Sequence, residues 1–179
     1  MRKPLPPVVN EASTVLILGS FPSEISLKLR QYYANPRNQF WKLVFAVYGE
    51  PTVPADYERR LGFLLNHGIA LWDVIASCDR EGSLDARIKH AVPNDFRTFL
   101  AAYPNIRCLA FNGSKSHEVF VKKVGEIGEF AVLKLPSSSV ARTTPFEEKL
   151  TEWKKIKAVQ SVRRGRDGPQ RLVQRARFA

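Results

Sequence analysis
The sequence predicts an α/β fold built on a four-stranded parallel sheet with helices on both faces. Four short runs rich in leucine and β-branched residues begin at Thr14, Ile69, Ile106 and Phe130, and their apolar residues are consecutive rather than alternating. Such runs suit strands that are buried on both faces. Segments of helical periodicity separate them, as crossover connections between parallel strands require. A chain of 179 residues is long enough for one domain, and neither an internal repeat nor a second domain is visible.

Taken in order, residues 1–13 are polar and Pro-rich and are expected to form a poorly ordered lead-in. The first strand runs from Thr14 to Leu18 and ends at Gly19. A helix from Asn38 follows, with Phe40, Trp41, Val44, Phe45 and Tyr48 as its apolar stripe and Gly49 closing it. A second helix, around Ala55 to Asn66, leads through Gly68 into the strand Ile69 to Trp72. Asn94 reads as the N-cap of a helix from Asp95 to Ala102, which precedes the strand Ile106 to Phe111. Ser114 opens a helix to about Lys123, and Phe130 to Leu135 forms the fourth strand. Thr144-Pro145-Phe146-Glu147 has the form of a capping box with proline at the first helical position, so the last helix is expected to end near Ile156. The folded domain is therefore expected over 14–156, with a basic tail over 157–179.

Composition narrows the function. A hydrophobic content of 44% and an aromatic content of 11% are those of a folded chain. No run approaches the roughly 18 apolar residues of a membrane span. Val15 to Leu18 is too short for a signal peptide, so the expected compartment is the cytoplasm. Cys78 and Cys108 lack CxxC partners, which supports neither a structural zinc nor an iron–sulfur cluster, and both read as small buried hydrophobes. The net charge of +11 favours polyanionic partners. Between Lys157 and Ala179, seven Lys or Arg residues stand against Asp167 alone. That stretch reads either as a solvated extension or as an arm that tethers DNA without sequence preference. The chain is expected to be monomeric.

Ligands of open α/β sheets bind beyond the carboxyl ends of the strands. The segments that follow the four strands are Gly19-Ser-Phe-Pro-Ser23, Trp72-Asp73, Asn112-Gly113-Ser114 and Pro136-Ser-Ser-Ser139. All are polar or rich in Gly and Pro, and all should meet at one edge. Familiar alternatives fit that edge poorly. Gly113-Ser-Lys115 lacks the spacing of a phosphate-binding loop, and no GxGxxG follows the first strand. His67, His90 and His117 have no metal-ligand spacing, so no metal site is expected. Tyr32-Tyr-Ala-Asn-Pro-Arg-Asn-Gln-Phe-Trp41 stands apart, because it packs four aromatics, two asparagines and an arginine into ten residues. Aromatic faces beside cationic and amide groups suit the stacking of an unpaired base and the grip of its backbone. Trp41 reads as core, whereas Tyr33, Asn35 and Asn38 have no evident structural task.

These pieces resemble the uracil-DNA glycosylase superfamily, and within it the branch of hypoxanthine-DNA (deoxyinosine) glycosylases. The matching stretches are Leu18 to Ser23, Tyr32 to Trp41, Gly68 to Val74, Ser77 to Leu84, Phe111 to Gly113 and Leu135 to Ser139. The resemblance implies a three-layer α/β/α sandwich around a four-stranded, mostly parallel sheet. It implies base excision repair: a deaminated base is flipped from the stack and its N-glycosidic bond is hydrolysed, with no cofactor or metal demanded. Where other branches carry an Asp or Asn in the first motif, this chain has only Ser20. The water-holding amide is then matched to Asn38, with Asn35 as the fallback. Phe21, Tyr33, Asp73 and Asn112 fall at base-binding positions. Asp73 would accept a hydrogen bond from N1–H of hypoxanthine or N3–H of uracil, and a strand-end cap is its plain alternative. Ser23, Arg37, Ser137, Ser138, Ser139 and Arg142 are matched to DNA contacts, Arg142 standing where a small amide is usual. No matched motif holds a Lys nucleophile, so a monofunctional enzyme is implied. The alternatives within the same fold are a uracil-DNA glycosylase and an inactive damaged-DNA-binding protein.

Overall fold
The structure, a computed structural model, describes residues 4–80, 82, 88–141 and 143–161. The first half of the chain forms β1 (Val15–Gly19), α1 (Glu24–Leu29), α2 (Phe40–Val47), α3 (Tyr57–Asn66), β2 (Ile69–Asp73) and β3 (Ile75–Asp79). Then come β4 (Lys89–Pro93), α4 (Phe96–Ala102), β5 (Cys108–Asn112), α5 (Ser114–Lys123), β6 (Ala131–Leu135), α6 (Phe146–Trp153) and α7 (Lys155–Ser161).

The four predicted runs form one parallel sheet in the order β2-β1-β5-β6. Successive strand residues point to opposite faces, so each run divides its side chains between two apolar layers. Val15, Ile17, Ile69, Leu71, Cys108 and Ala110 face one layer, which α2, α6 and α7 complete with Phe40, Trp153 and Ile156. Leu16, Leu18, Trp72, Leu109 and Phe111 face the other, completed by Phe96 and Phe99 of α4 and Phe120 of α5. The result is the expected three-layer sandwich. Burial raises the Cys108 thiol to about 12, so it packs as an inert hydrophobe, while Cys78 on β3 is only half-buried. No helix among the described residues is long and apolar enough to cross a membrane.

The connections after β1 and β5 leave toward opposite faces, since α2 packs in the first layer and α5 in the second. A crevice therefore opens between the ends of β1 and β5, the switch point at which such sheets bind ligands.

Several expectations need correction. Residues 4–13 are not a loose lead-in: Leu5 is buried, and Val8 exchanges backbone hydrogen bonds of 2.9 and 2.8 Å with Leu71. The reason is the open edge of β2, whose unpaired backbone groups need a partner. Asp95, not Asn94, caps α4, accepting from Thr98 N at 3.1 Å; Asn94 instead donates to the Asp73 carbonyl at 2.8 Å. The capping box at Thr144 does not form. Pro145 is itself the N-cap, its ψ of 148° being extended rather than helical. The last helix breaks at Lys154 and resumes as α7, where Ile156 is buried and Gln160 donates to the His67 carbonyl at 2.7 Å. The domain thus reaches Ser161, into what was read as tail. Arg142 and residues 162–179 lie outside the described residues.

Candidate active site
The crevice holds a cavity of about 400 Å³. Its walls come from the end of β2 at Asp73, the ends of β1 and β5, the loops after β1, β5 and β6, and the aromatic-rich segment before α2, so the four predicted segments do converge.

The register of the sheet sets the floor. Gly19, the last residue of β1, pairs with Asp73, the last residue of β2. A Cβ on Gly19 would stand 2.4 Å from Asp73 Oδ1 and 3.1 Å from Tyr33 Oη. Only glycine lets a carboxylate and a phenol meet over the end of that strand. Asp73 is 5% exposed, and its peptide is fixed on both sides. Asn94 holds its carbonyl, and the amide of Val74 donates to the Gly19 carbonyl at 2.9 Å. Tyr32 borders the same cavity. Burial first, and then the charge of Asp73, raise its phenol far above the usual tyrosine range.

Tyr33 adopts a left-handed backbone, with φ 51°, which aims its ring into the site against the usual preference of a bulky residue. The ring stacks on Phe40 with centroids 3.8 Å apart and planes 10° from parallel. Its hydroxyl accepts from Asn112 Nδ2 at 2.9 Å. The second Nδ2 hydrogen bond of Asn112 goes to Ser138 Oγ at 2.8 Å, and its Oδ1 accepts from Ser138 N at 2.9 Å. Asn112, matched to a base reader, is thus engaged as a bracket between Tyr33 and the serine loop.

The other candidates divide. Asn38 lines the cavity, and its Oδ1 accepts from Phe40 N at 2.9 Å, closing the turn before α2. The NH2 and the second lone pair of Oδ1 are its capacity for other groups. Asn35 also lines the cavity, and its Oδ1 accepts from Arg37 N at 3.0 Å. Both asparagines therefore have local structural tasks that the sequence did not display. Ser20, Phe21, Ser23, Ser137 and Ser139 line the cavity as expected. Ser23 also caps α1, accepting from Ser26 N at 3.2 Å. Ser138, matched to a DNA contact, is 1% exposed and serves the loop's interior. Arg37 is exposed and is not part of the cavity wall.

Three basic residues were missed. Lys115, on the first turn of α5, lines the cavity. Lys149 on α6 is 1% exposed and donates to Gln39 Oε1 at 2.8 Å and to the Ser139 carbonyl at 3.5 Å. Arg80, after β3, donates to the Pro22 carbonyl and lies over the Phe21 ring. Only Lys115 and Arg80 fell within stretches already singled out. A lysine in an amphipathic helix reads as solvent-facing, so nothing marked Lys149.

The family model of the Uracil DNA glycosylase superfamily matches residues 6–163. The chain belongs to this superfamily. A protein named Hypoxanthine DNA glycosylase from Methanosarcina acetivorans is 36% identical over 158 residues, covering 87% of this chain and 98% of the relative. One of the same name from Methanosarcina barkeri is 34% identical over 154 residues, covering 85% and 95%. The fold is also that of a solution NMR structure from Methanosarcina acetivorans, provisionally assigned as a uracil DNA glycosylase, with TM-score 0.73 and 36% identity over 87% of this chain and 95% of that one. The superfamily match begins at residue 6 and ends at residue 163, so it takes in both the strand-edge segment around Val8 and α7.

The Gly19 approach yields a direct test. Gly19→Ala should cost about 1–3 kcal/mol by overpacking. Most of that loss should vanish in an Asp73→Ala background, as urea unfolding of the double-mutant cycle would report. Additive losses would mean that the carboxylate is not what excludes a side chain there.

Proposed function
We propose that this DNA glycosylase removes a deaminated base, hypoxanthine foremost, by flipping the nucleotide into the cavity at the strand ends. One observation carries this reading. In a member of this superfamily, a single cavity joins the Asp73 carboxylate, the Phe21 and Tyr33 rings and the Asn38 amide. The Methanosarcina relatives named Hypoxanthine DNA glycosylase favour the choice of base.

Each group has a chemical part. Asp73 accepts a hydrogen bond from N1–H of hypoxanthine, a contact that adenine, unprotonated at N1, does not make. Phe21 supplies an apolar face for the base, and Tyr33, held by Phe40 and Asn112, is a fixed wall rather than a swinging one. The glycosidic bond breaks with its electron pair moving to the base nitrogen, leaving positive charge on the sugar. A water held by Asn38 bonds to C1′, and its proton passes to solvent. Holding that water in place provides the orientation on which such catalysis depends. The N-terminus of α5 has no side-chain cap and opens on the cavity beside Lys115, which suits a phosphate next to the flipped nucleotide. Ser137 and Ser139 border the same strand. On this reading the enzyme acts as a cytoplasmic monomer, and the reaction ends at the abasic sugar without a lyase step.

Single-turnover cleavage of duplexes carrying one deoxyinosine, deoxyuridine or deoxyxanthosine tests the reading. Breaks should appear fastest at deoxyinosine, and only after alkali. Faster breaks at deoxyuridine would make the protein a uracil enzyme, since Asp73 can equally accept N3–H of uracil. No breaks at all, with binding retained, would make it a recognition protein. Asn38→Ala should lower the deoxyinosine rate at least about tenfold with DNA affinity nearly unchanged. An unaffected rate would remove Asn38 from the water site.

A further inference from the structure
The stretch from Ser77 to Leu84 carries part of the family resemblance, and none of its described residues lines the cavity. Its described portion brings one group to the cavity from behind. Arg80 follows the last residue of β3, and its guanidinium carbon stands 4.9 Å from the centroid of the Phe21 ring. From there it donates a hydrogen bond to the carbonyl of Pro22. Phe21 is 9% exposed and lines the cavity, whereas Arg80 is not part of the cavity wall, so the guanidinium reaches the site through its contact with this ring. Arg80 is itself half-buried, in surroundings where a charge is screened less than at an open surface.

The two contacts act on one loop. The cation over the ring fixes the plane of Phe21, and the hydrogen bond fixes the peptide that follows. Arginine can do both at once because its guanidinium is flat and carries several donors.

The charge matters for a second reason. On the reading above, the base leaves as an anion in a cavity that already holds the Asp73 carboxylate. Two negative charges at close range oppose each other, and a fixed positive charge nearby offsets the second as it develops. A group already in place when the charge forms needs no reorganisation. Resting on the glycosylase reading, we propose that Arg80 is a positioning residue that sets the Phe21 wall and places a fixed positive charge behind it, favouring departure of the base anion.

The test uses the full chain and two labelled duplexes. One carries deoxyinosine, the other 2-fluorodeoxyinosine, whose base is the more acidic and the better leaving anion. Arg80→Gln keeps a donor for the Pro22 carbonyl but no charge. Arg80→Met keeps the bulk alone, and Arg80→Lys keeps the charge without the flat fork. Gln and Met should each lower the single-turnover rate on deoxyinosine about tenfold and the rate on the fluorinated base clearly less. Lys should recover part of the deoxyinosine rate lost in Met, because it keeps the charge, and should fall short of the wild type for want of the flat fork. Equal losses on the two substrates would reduce Arg80 to packing and overturn the proposal, as would a Gln variant as fast as the wild type. A wild type that leaves both substrates intact would overturn the glycosylase reading, and this proposal with it. An active wild type with an indifferent Arg80 would overturn the proposal alone.

Discussion

The absence of a side chain at Gly19 is the constraint on which the rest of the site depends. Parallel pairing puts Gly19 beside Asp73 at the ends of β1 and β2, and the carboxylate occupies the space where a Cβ would be. From that meeting point a chain of polar contacts crosses the sheet. Tyr33 accepts from Asn112, Asn112 brackets Ser138, the Ser138 carbonyl accepts from Gln39 N, and Gln39 accepts from Lys149. The segment before α2, the end of β5, the serine loop and α6 are thereby set relative to one another. Buried polar groups are costly when unmatched, so each link holds the next in a single arrangement. On the proposed reading, a pocket held in this way is preorganised for a base that has left its stack.

Charge is arranged on the same plan. The cavity carries a carboxylate on its floor at Asp73, and positive groups lie around it: Lys115 at the rim, Arg80 behind Phe21 and the N-terminus of α5. The carboxylate suits the neutral base that enters and opposes the anion that leaves. The surrounding positive groups suit the phosphate backbone and the anion. On the proposed reading the same residues serve both recognition and departure, with the guanidinium in contact with the Phe21 ring.

Most of the sheet was legible because strands buried on both faces leave an unambiguous mark. The run Val15–Leu18 contains no polar residue, and Ile69–Trp72 likewise. The convergence of four polar segments followed from topology alone. What escaped detection has physical causes. The β3–β4 hairpin has two register irregularities and little apolar alternation, so it showed no period to read. Residues 4–13 looked like a tail because one bridge at Val8 and one buried Leu5 make no pattern. Asn112 and Ser138 looked like ligand contacts because amides and hydroxyls serve an interior bracket as readily as a substrate. Lys149 was invisible because only tertiary packing turns an amphipathic lysine inward.

The central claim is that the Asp73 carboxylate reads the N1–H edge of a flipped hypoxanthine. It is tested most directly by crossing a change in the enzyme with a change in the base. Deoxyinosine and its 1-deaza analogue, which replaces N1–H by C–H at nearly the same size, would be offered to the wild type and to Asp73→Ala in single-turnover excision. Differences in leaving-group acidity cancel around such a cycle. The account predicts that the analogue's penalty is larger in the wild type than in the variant by roughly tenfold, the worth of one hydrogen bond to a charged group. An identical penalty in both enzymes would contradict it, and would leave Asp73 as a strand-end fixture with no part in reading the base.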